Sequence, residues 1–223
     1  MNGRVRVKIC GMTRNDDAQC AAAAGVDALG FIFYAKSPRH IEPEAARRII
    51  AGLPPLVDAV GVFVNEEMAR VEAVVRGCGL QYAQLHGAEP PDYCRELAAR
   101  AGCRVLKAIR VGPATTAAEV APYRGAVCGF LLDTYQQEAV GGTGEVFDWA
   151  LIDRLALDRP FLLAGGLSVD NIAAALAQAQ PFGVDANSGL ERVPGIKDHD
   201  LIERFLALVR SAATSPQRAS SRA

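Results

Sequence analysis

The sequence is poor in the residues that build metal centres. It has three histidines, widely scattered, and none of its six cysteines forms a C-x-x-C pair. The cysteines stand at 10, 20, 78, 94, 103 and 128; the nearest approach to ligand spacing, Cys94 to Cys103, is too wide for a local clip and has no histidine beside it. No metal is expected, and the cysteines read as reduced thiols, mostly small apolar core residues of a cytoplasmic protein. An excess of charge is also missing. A formal net charge of -1 gives no footprint for nucleic acid, so an anionic substrate would need local positive groups. No apolar run approaches the ~20 residues of a membrane span. Residues 1–6 are polar and the next apolar run is short, so no signal segment and no membrane association are expected. The first strand-like run ends in KICGMTR, without the G-x-G-x-x-G that a dinucleotide-binding open sheet would carry there.

What the chain does have is alternation. Half of its 223 residues are hydrophobic and 22% are charged, enough for a sizeable core without staples. Eight strand-like runs follow one another: VRVKIC, ALGFIF, VDAVGVFV, LQYAQL, CRVLKAI, AVCGFLLD, PFLLAGG and PFGVDANSG. Their apolar positions are consecutive rather than alternating, as in parallel strands covered on both faces. Most are followed by an alanine-rich or charged stretch of helical spacing. Gly25 is placed to end the first helix, Pro43 to begin the second, and Asn65 and Ser168 to cap the third and seventh. Leu201, Ile202, Phe205, Leu206 and Val209 share one face of the last. Eight βα units in series predict a single-domain α/β (βα)8 TIM barrel over residues 1–210, with 211–223 a disordered polar tail.

In such a barrel the site lies at the C-terminal ends of the strands. Those ends bring together Cys10, Arg39, Asn65, His86, Lys107 with Arg110, Asp133, Gly165 with Gly166, and Asp185 through Gly189. Taken alone, Cys10 reads as one more buried cysteine, Asp133 as a strand-end residue, Arg39 as a solvated loop charge and His86 as a satisfied polar group. Lys107 and Arg110 read as partners of neighbouring acids.

KICGMTR, GFIFYAKSPRHI, GVFVNE, QLHG, LKAIR, FLLDT, GGTGEVFDW, LAGGLSVDN, SGLE and PGIKD, in this order, resemble the successive motifs of the phosphoribosylanthranilate isomerases of tryptophan biosynthesis. The resemblance runs from about Val5 to Val209. It implies an Amadori rearrangement of N-(5-phosphoribosyl)anthranilate by general acid–base catalysis, with no metal or organic cofactor, a small phosphosugar as partner, and a monomer or homodimer. It places Cys10 as base and Asp133 as acid. An Asp of ordinary pKa ~3.9 kept protonated near neutrality represents roughly 4 kcal/mol, supplied by an apolar surround, whereas the thiol must be lowered. Lys8, if turned inward, or helix amides after GMTRND would lower it. The substrate's phosphate suits the turns at Gly165, Gly166, Ser188 and Gly189, with Asp185 and Asn187 beside them. Arg39 would grip the aromatic carboxylate, His86 would adjoin the sugar, and the loop Gly141, Gly142, Thr143, Gly144 would close over the site. Where members of the family read DVSSG on the last strand, this chain reads DANSG, with Asn187 in place of a serine. Other phosphosugar barrels, of the indole-glycerol-phosphate synthase or sugar-phosphate isomerase or epimerase kind, and a non-catalytic phosphosugar-binding barrel are the alternatives.

Overall fold

The computed structural model describes residues 4–133 and 150–214. Eight parallel strands close into a barrel in sequence order: β1 (Arg6–Ile9), β2 (Ala28–Ile32), β3 (Asp58–Phe63), β4 (Tyr82–Leu85), β5 (Arg104–Arg110), β6 (Gly129–Asp133), β7 (Phe161–Ala164) and β8 (Gly183–Ala186). The ring shuts where β1 pairs with β8, Lys8 opposite Asp185 and Ile9 opposite Ala186. Helices α1 (Asn15–Ala23), α2 (Pro43–Ala51), α3 (Met68–Cys78), α4 (Pro91–Ala101), α5 (Ala117–Val120), α6 (Ala150–Asp153), α7 (Ile172–Ala179) and α8 (His199–Thr214) follow the strands in turn. The predicted TIM barrel is the observed fold, although α5 and α6 are only four residues each.

Consecutive strand residues face opposite sides of a sheet, and here both sides are largely buried. Val7, Ile9, Leu29, Phe31, Phe130, Leu132 and Val184 point outward into the layer between barrel and helices. Burying each such side chain stabilises the fold by about 1.5–3 kcal/mol. A separate cluster of Ala108, Leu131 and Ala164, with Leu162 against it, lies in the interior. This parity decides which polar residues reach the site. On β1, Lys8 lies between outward Val7 and Ile9; on β6, Asp133 lies two residues beyond inward Leu131.

Helix ends follow the local chemistry with two corrections. Pro43 opens α2, and Gly25, with φ +85°, takes the left-handed position just past α1. Asn65 does not cap α3. It sits in a left-handed turn (φ 50°) before that helix, where its Oδ1 accepts from Ala88 N at 2.6 Å and its own N–H donates to Glu89 at 2.7 Å. Nor does Ser168 cap α7, which begins four residues later. Its hydroxyl accepts from Asp170 N–H at 3.3 Å within a turn, and Asn171 occupies the cap position. Residues 211–214 of the expected tail form the last turn of α8. An antiparallel hairpin, β9 (Glu191–Val193) and β10 (Ile196–Lys197), lies between β8 and α8 and has no counterpart in the sequence reading.

Candidate active site

The inward parity of β1 carries Lys8 into the barrel and Cys10 to its mouth. Lys8 Nζ donates to Asp185 Oδ2 at 2.8 Å, with both side chains almost fully buried. A buried ion pair of this kind contributes little net stability, because desolvation offsets the attraction; its value is positional. Gly30 on β2 makes the arrangement fit. A Cβ there would stand 2.7 Å from Cys10 Sγ and 3.0 Å from Lys8 Nζ. Burial pushes the Cys10 thiol above its ordinary value, while the Lys8 and Lys197 ammonium groups pull against that push. Burial therefore reverses the expected net lowering of this thiol, although Lys8 does turn inward as the candidate counter-charge. Burial works against the Lys8 charge as well, but Asp185 and Cys10 outweigh it and hold the amine above its usual range. Asp185 is raised by burial, with Lys8 opposing.

Across the mouth, Asp133 closes β6 opposite Arg110 and Ala164. Its Oδ2 lies 3.4 Å from His86 Nε2, each side chain about a quarter exposed at 24%. His86 Nδ1 in turn stands 3.4 Å from Gln84 Nε2. Two buried acceptors on β8 and β4, Asp185 Oδ1 and Gln84 Oε1, have no hydrogen-bond partner among the described residues. Unpaired buried acceptors are costly, and they suit a ligand that brings hydroxyl donors. Cys10, His86, Asp133 and Asp185 thus all lie at the C-terminal end of the barrel, where His86 adjoins Asp133 and acts electrostatically on Asp185.

Arg39 is not an open clamp. Its Nε donates to both oxygens of Glu191 at 3.0 Å and its Nη2 to Oε2 at 2.7 Å. Glu191 also accepts from Lys197 Nζ at 2.9 Å. Asn187 faces this network, with its Oδ1 accepting from Lys197 Nζ at 2.9 Å. The amide that replaces a serine therefore reaches a buried ammonium group. The Arg39 and Lys197 hydrogen bonds overcome the effect of burial and hold the Glu191 carboxyl below the usual carboxylate range.

At the other edge, Gly165 and Gly166 both adopt left-handed backbone (φ 98° and 63°), and Ser188–Leu190 form a 3₁₀ turn. The β7 and β8 turns touch so closely that a Cβ on Gly189 would meet the Leu167 carbonyl oxygen at 2.1 Å. This gathers small residues and backbone amides at one edge of the mouth, as anion binding requires. Gly141, Gly142, Thr143 and Gly144 lie outside the described residues.

Lys107 belongs elsewhere. It faces the outer layer, where its Nζ donates to Glu89 at 2.9 Å and to the Leu85 and Gly87 carbonyls at 3.1 and 2.6 Å. At the opposite, N-terminal end of the barrel a cavity of about 340 Å³ is lined by Arg6, Asp58, Tyr82, Arg104 and Phe182, away from the groups above. Gly30, Glu191 and Lys197 escaped the reading of the sequence as site residues. The motifs SGLE and PGIKD contained the last two, but only the folded hairpin brings them together.

The family model described as N-(5'phosphoribosyl)anthranilate (PRA) isomerase matches residues 7–207. An N-(5'-phosphoribosyl)anthranilate isomerase of Trichlorobacter lovleyi is 49% identical over 210 residues, covering 93% of this chain and 99% of that protein. The crystal structure of phosphoribosyl anthranilate isomerase from Thermotoga maritima superposes with a TM-score of 0.81 at 44% identity, over 93% of this chain and 99% of that one. The Thermotoga maritima enzyme is dimeric and has also been solved as monomers generated from it. A phosphoribosyl anthranilate isomerase in complex with reduced 1-(o-carboxyphenylamino)-1-deoxyribulose 5-phosphate matches with a TM-score of 0.79 at 42% identity, over 93% of this chain and 99% of that one. With its eightfold barrel and the full run of motifs between, this chain belongs to the N-(5'-phosphoribosyl)anthranilate isomerase family.

Proposed function

We propose that this chain carries out its family's reaction, a step of tryptophan biosynthesis, with Cys10 as general base and Asp133 as general acid. Asp133 gives its proton to the ribose ring oxygen. The bond from that oxygen to C1 breaks, and the anthranilate nitrogen lone pair forms a C1 iminium ion. Cys10 then takes the proton from C2 as a thiolate, and the C–H electrons form the C1–C2 double bond of an enolamine while the iminium is neutralised. Tautomerisation gives the C2 ketone. The reaction needs one acid and one base on opposite sides of a single sugar.

The observation that carries this reading is parity. Cys10 follows inward Lys8, and Asp133 follows inward Leu131, on strands separated by β8 and β7, so both face the same mouth. Lys8 beside Cys10 supplies the positive charge that a thiolate needs in a buried site. His86 neighbours the Asp133 carboxyl, and Asp185 Oδ1 and Gln84 Oε1 are placed to accept sugar hydroxyls. The phosphate lies against Gly165, Gly166, Ser188 and Gly189, and the aromatic carboxylate meets Arg39 on the side not taken by Glu191. Asn187 serves the site through Lys197. The segment Gly141 to Gly144 is proposed to cover the substrate, residues 1–210 to be the catalytic unit, and a homodimer is supported by the Thermotoga maritima relative.

The test is growth of a tryptophan auxotroph that lacks this isomerase step. The wild-type chain restores growth and its Cys10→Ala variant does not. Growth with neither, from soluble protein, would refute the assignment.

A further inference from the structure

The hairpin of β9 and β10 stands outside the barrel plan, yet it carries two of the most buried charges near the mouth. The Glu191 side chain is 3% exposed and that of Lys197 is fully buried. Their hydrogen bonds are filled by the protein. Glu191 Oε1 accepts from Arg39 Nε, Lys197 Nζ and Gly195 N, and Oε2 from Arg39 Nε and Nη2. Lys197 Nζ donates to Glu191, to Asn187 Oδ1 and to the Asn187 carbonyl at 3.2 Å. Three donors thus meet three acceptors, so neither group is left to grip a substrate.

The network is fastened on two sides. Asp17, buried in α1, accepts from Lys197 N–H at 3.1 Å and lies 2.9 Å from His199 Nε2. The Thr13 hydroxyl donates to the Gly195 carbonyl at 2.5 Å. On the other side is the backbone that follows the thiol. A Cβ on Gly11 would stand 2.6 Å from Asn187 Oδ1 and 2.9 Å from Arg39 Cδ. The arginine that reaches the mouth, at 18% side-chain exposure, is therefore aimed by a carboxylate that does not reach it.

We propose that Glu191 is a positioning residue of the isomerase, which holds Arg39 by a two-pronged grip so that its remaining guanidinium edge receives the substrate's aromatic carboxylate. This rests on the assignment of Arg39 made above. A fixed guanidinium loses less freedom on binding than a mobile one, so pre-orientation is felt as affinity for the carboxylate-bearing substrate. A merely structural role would harm every substrate alike.

The experiment compares two substrates, N-(5'-phosphoribosyl)anthranilate and N-(5'-phosphoribosyl)aniline, which lacks the carboxylate, in wild-type enzyme and in Glu191→Gln. The glutamine keeps the shape and removes the charge. The expected result is a KM for the anthranilate substrate raised about 10- to 100-fold, the range for one charged hydrogen bond, with the aniline KM unchanged. Equal effects on both substrates, or none on either, would overturn the proposal. Should Glu191→Gln fail to fold, Glu191→Asp, which keeps the charge and withdraws it by one methylene, is measured against the same pair with the same criterion. A wild-type enzyme that binds both substrates equally would instead contradict the role of Arg39 itself, which separates that failure from this one.

Discussion

The Lys8 ammonium and the Cys10 thiol lie together against the backbone of Gly30, close enough that a methyl group there would stand 3.0 Å from one and 2.7 Å from the other. Neither distance is ordinary van der Waals contact, so Gly30→Ala must displace the thiol, the ammonium or the strand. We expect a stability loss of about 1–3 kcal/mol, the usual scale of overpacking. We expect kcat to fall at least ~10-fold, because a small misplacement of a reacting group is expensive in rate. Urea denaturation and steady-state kinetics check the two separately. An unchanged kcat would mean that the thiol's position is not critical.

Removing the counter-charge tests its role more directly. Lys8→Met leaves Asp185 buried without its partner, and the expected cost is about 3–5 kcal/mol. Lys8 pulls the thiol down against burial, so its loss raises the Cys10 pKa further. The pH profile of Cys10 alkylation, measured with the other thiols accounted for by Cys10→Ala, should move to higher pH. A profile moving to lower pH would remove Lys8 from the account.

The Glu191 carboxyl titrates below its ordinary 4.5, so in the wild-type chain its contribution to stability is present above that value and is lost as pH falls through the depressed folded pKa. Glu191→Gln lacks this contribution at every pH. The stability gap between wild type and variant, from urea midpoints, should be widest near neutrality and shrink as the medium is acidified through the depressed folded pKa. A gap that grows on acidification would contradict the ion-pair assignment.

The barrel was legible because its evidence is local and repeated. Each of the eight apolar runs became a strand, and Pro43 and Gly25 punctuated helices as their backbone preferences dictate. Cys10, His86, Asp133 and Asp185 were found at strand ends for the same reason. What could not be read was orientation within a strand. When both faces are buried, an apolar run carries no alternation to reveal which residues point inward, so the pattern alone leaves the inward turn of Lys8 a condition rather than a conclusion. The fates of Lys8 and Lys107 differ by one step of the pleat: Lys8 pairs inside with Asp185, and Lys107 outside with Glu89.

The hairpin escaped for another reason. Its strands of three and two residues are too short for a pattern, and their meaning lies in contacts to residues more than 150 positions away, as between Arg39 and Glu191. Asn65 and Ser168 carried plausible capping chemistry, but their side chains bond within the loops before the helices instead. Asn187, placed by sequence among the substrate contacts, turns toward Lys197 because that buried ammonium needs its third acceptor.

The most direct measurement is the turnover of Cys10→Ala, Asp133→Asn and the double variant on N-(5'-phosphoribosyl)anthranilate. If one thiol and one carboxyl share the proton transfers on a single sugar, each single variant loses at least ~100-fold in kcat with folding intact. The double variant then falls little below the worse single one, as groups that act as a unit do. Near-wild-type turnover in either single variant would contradict the account.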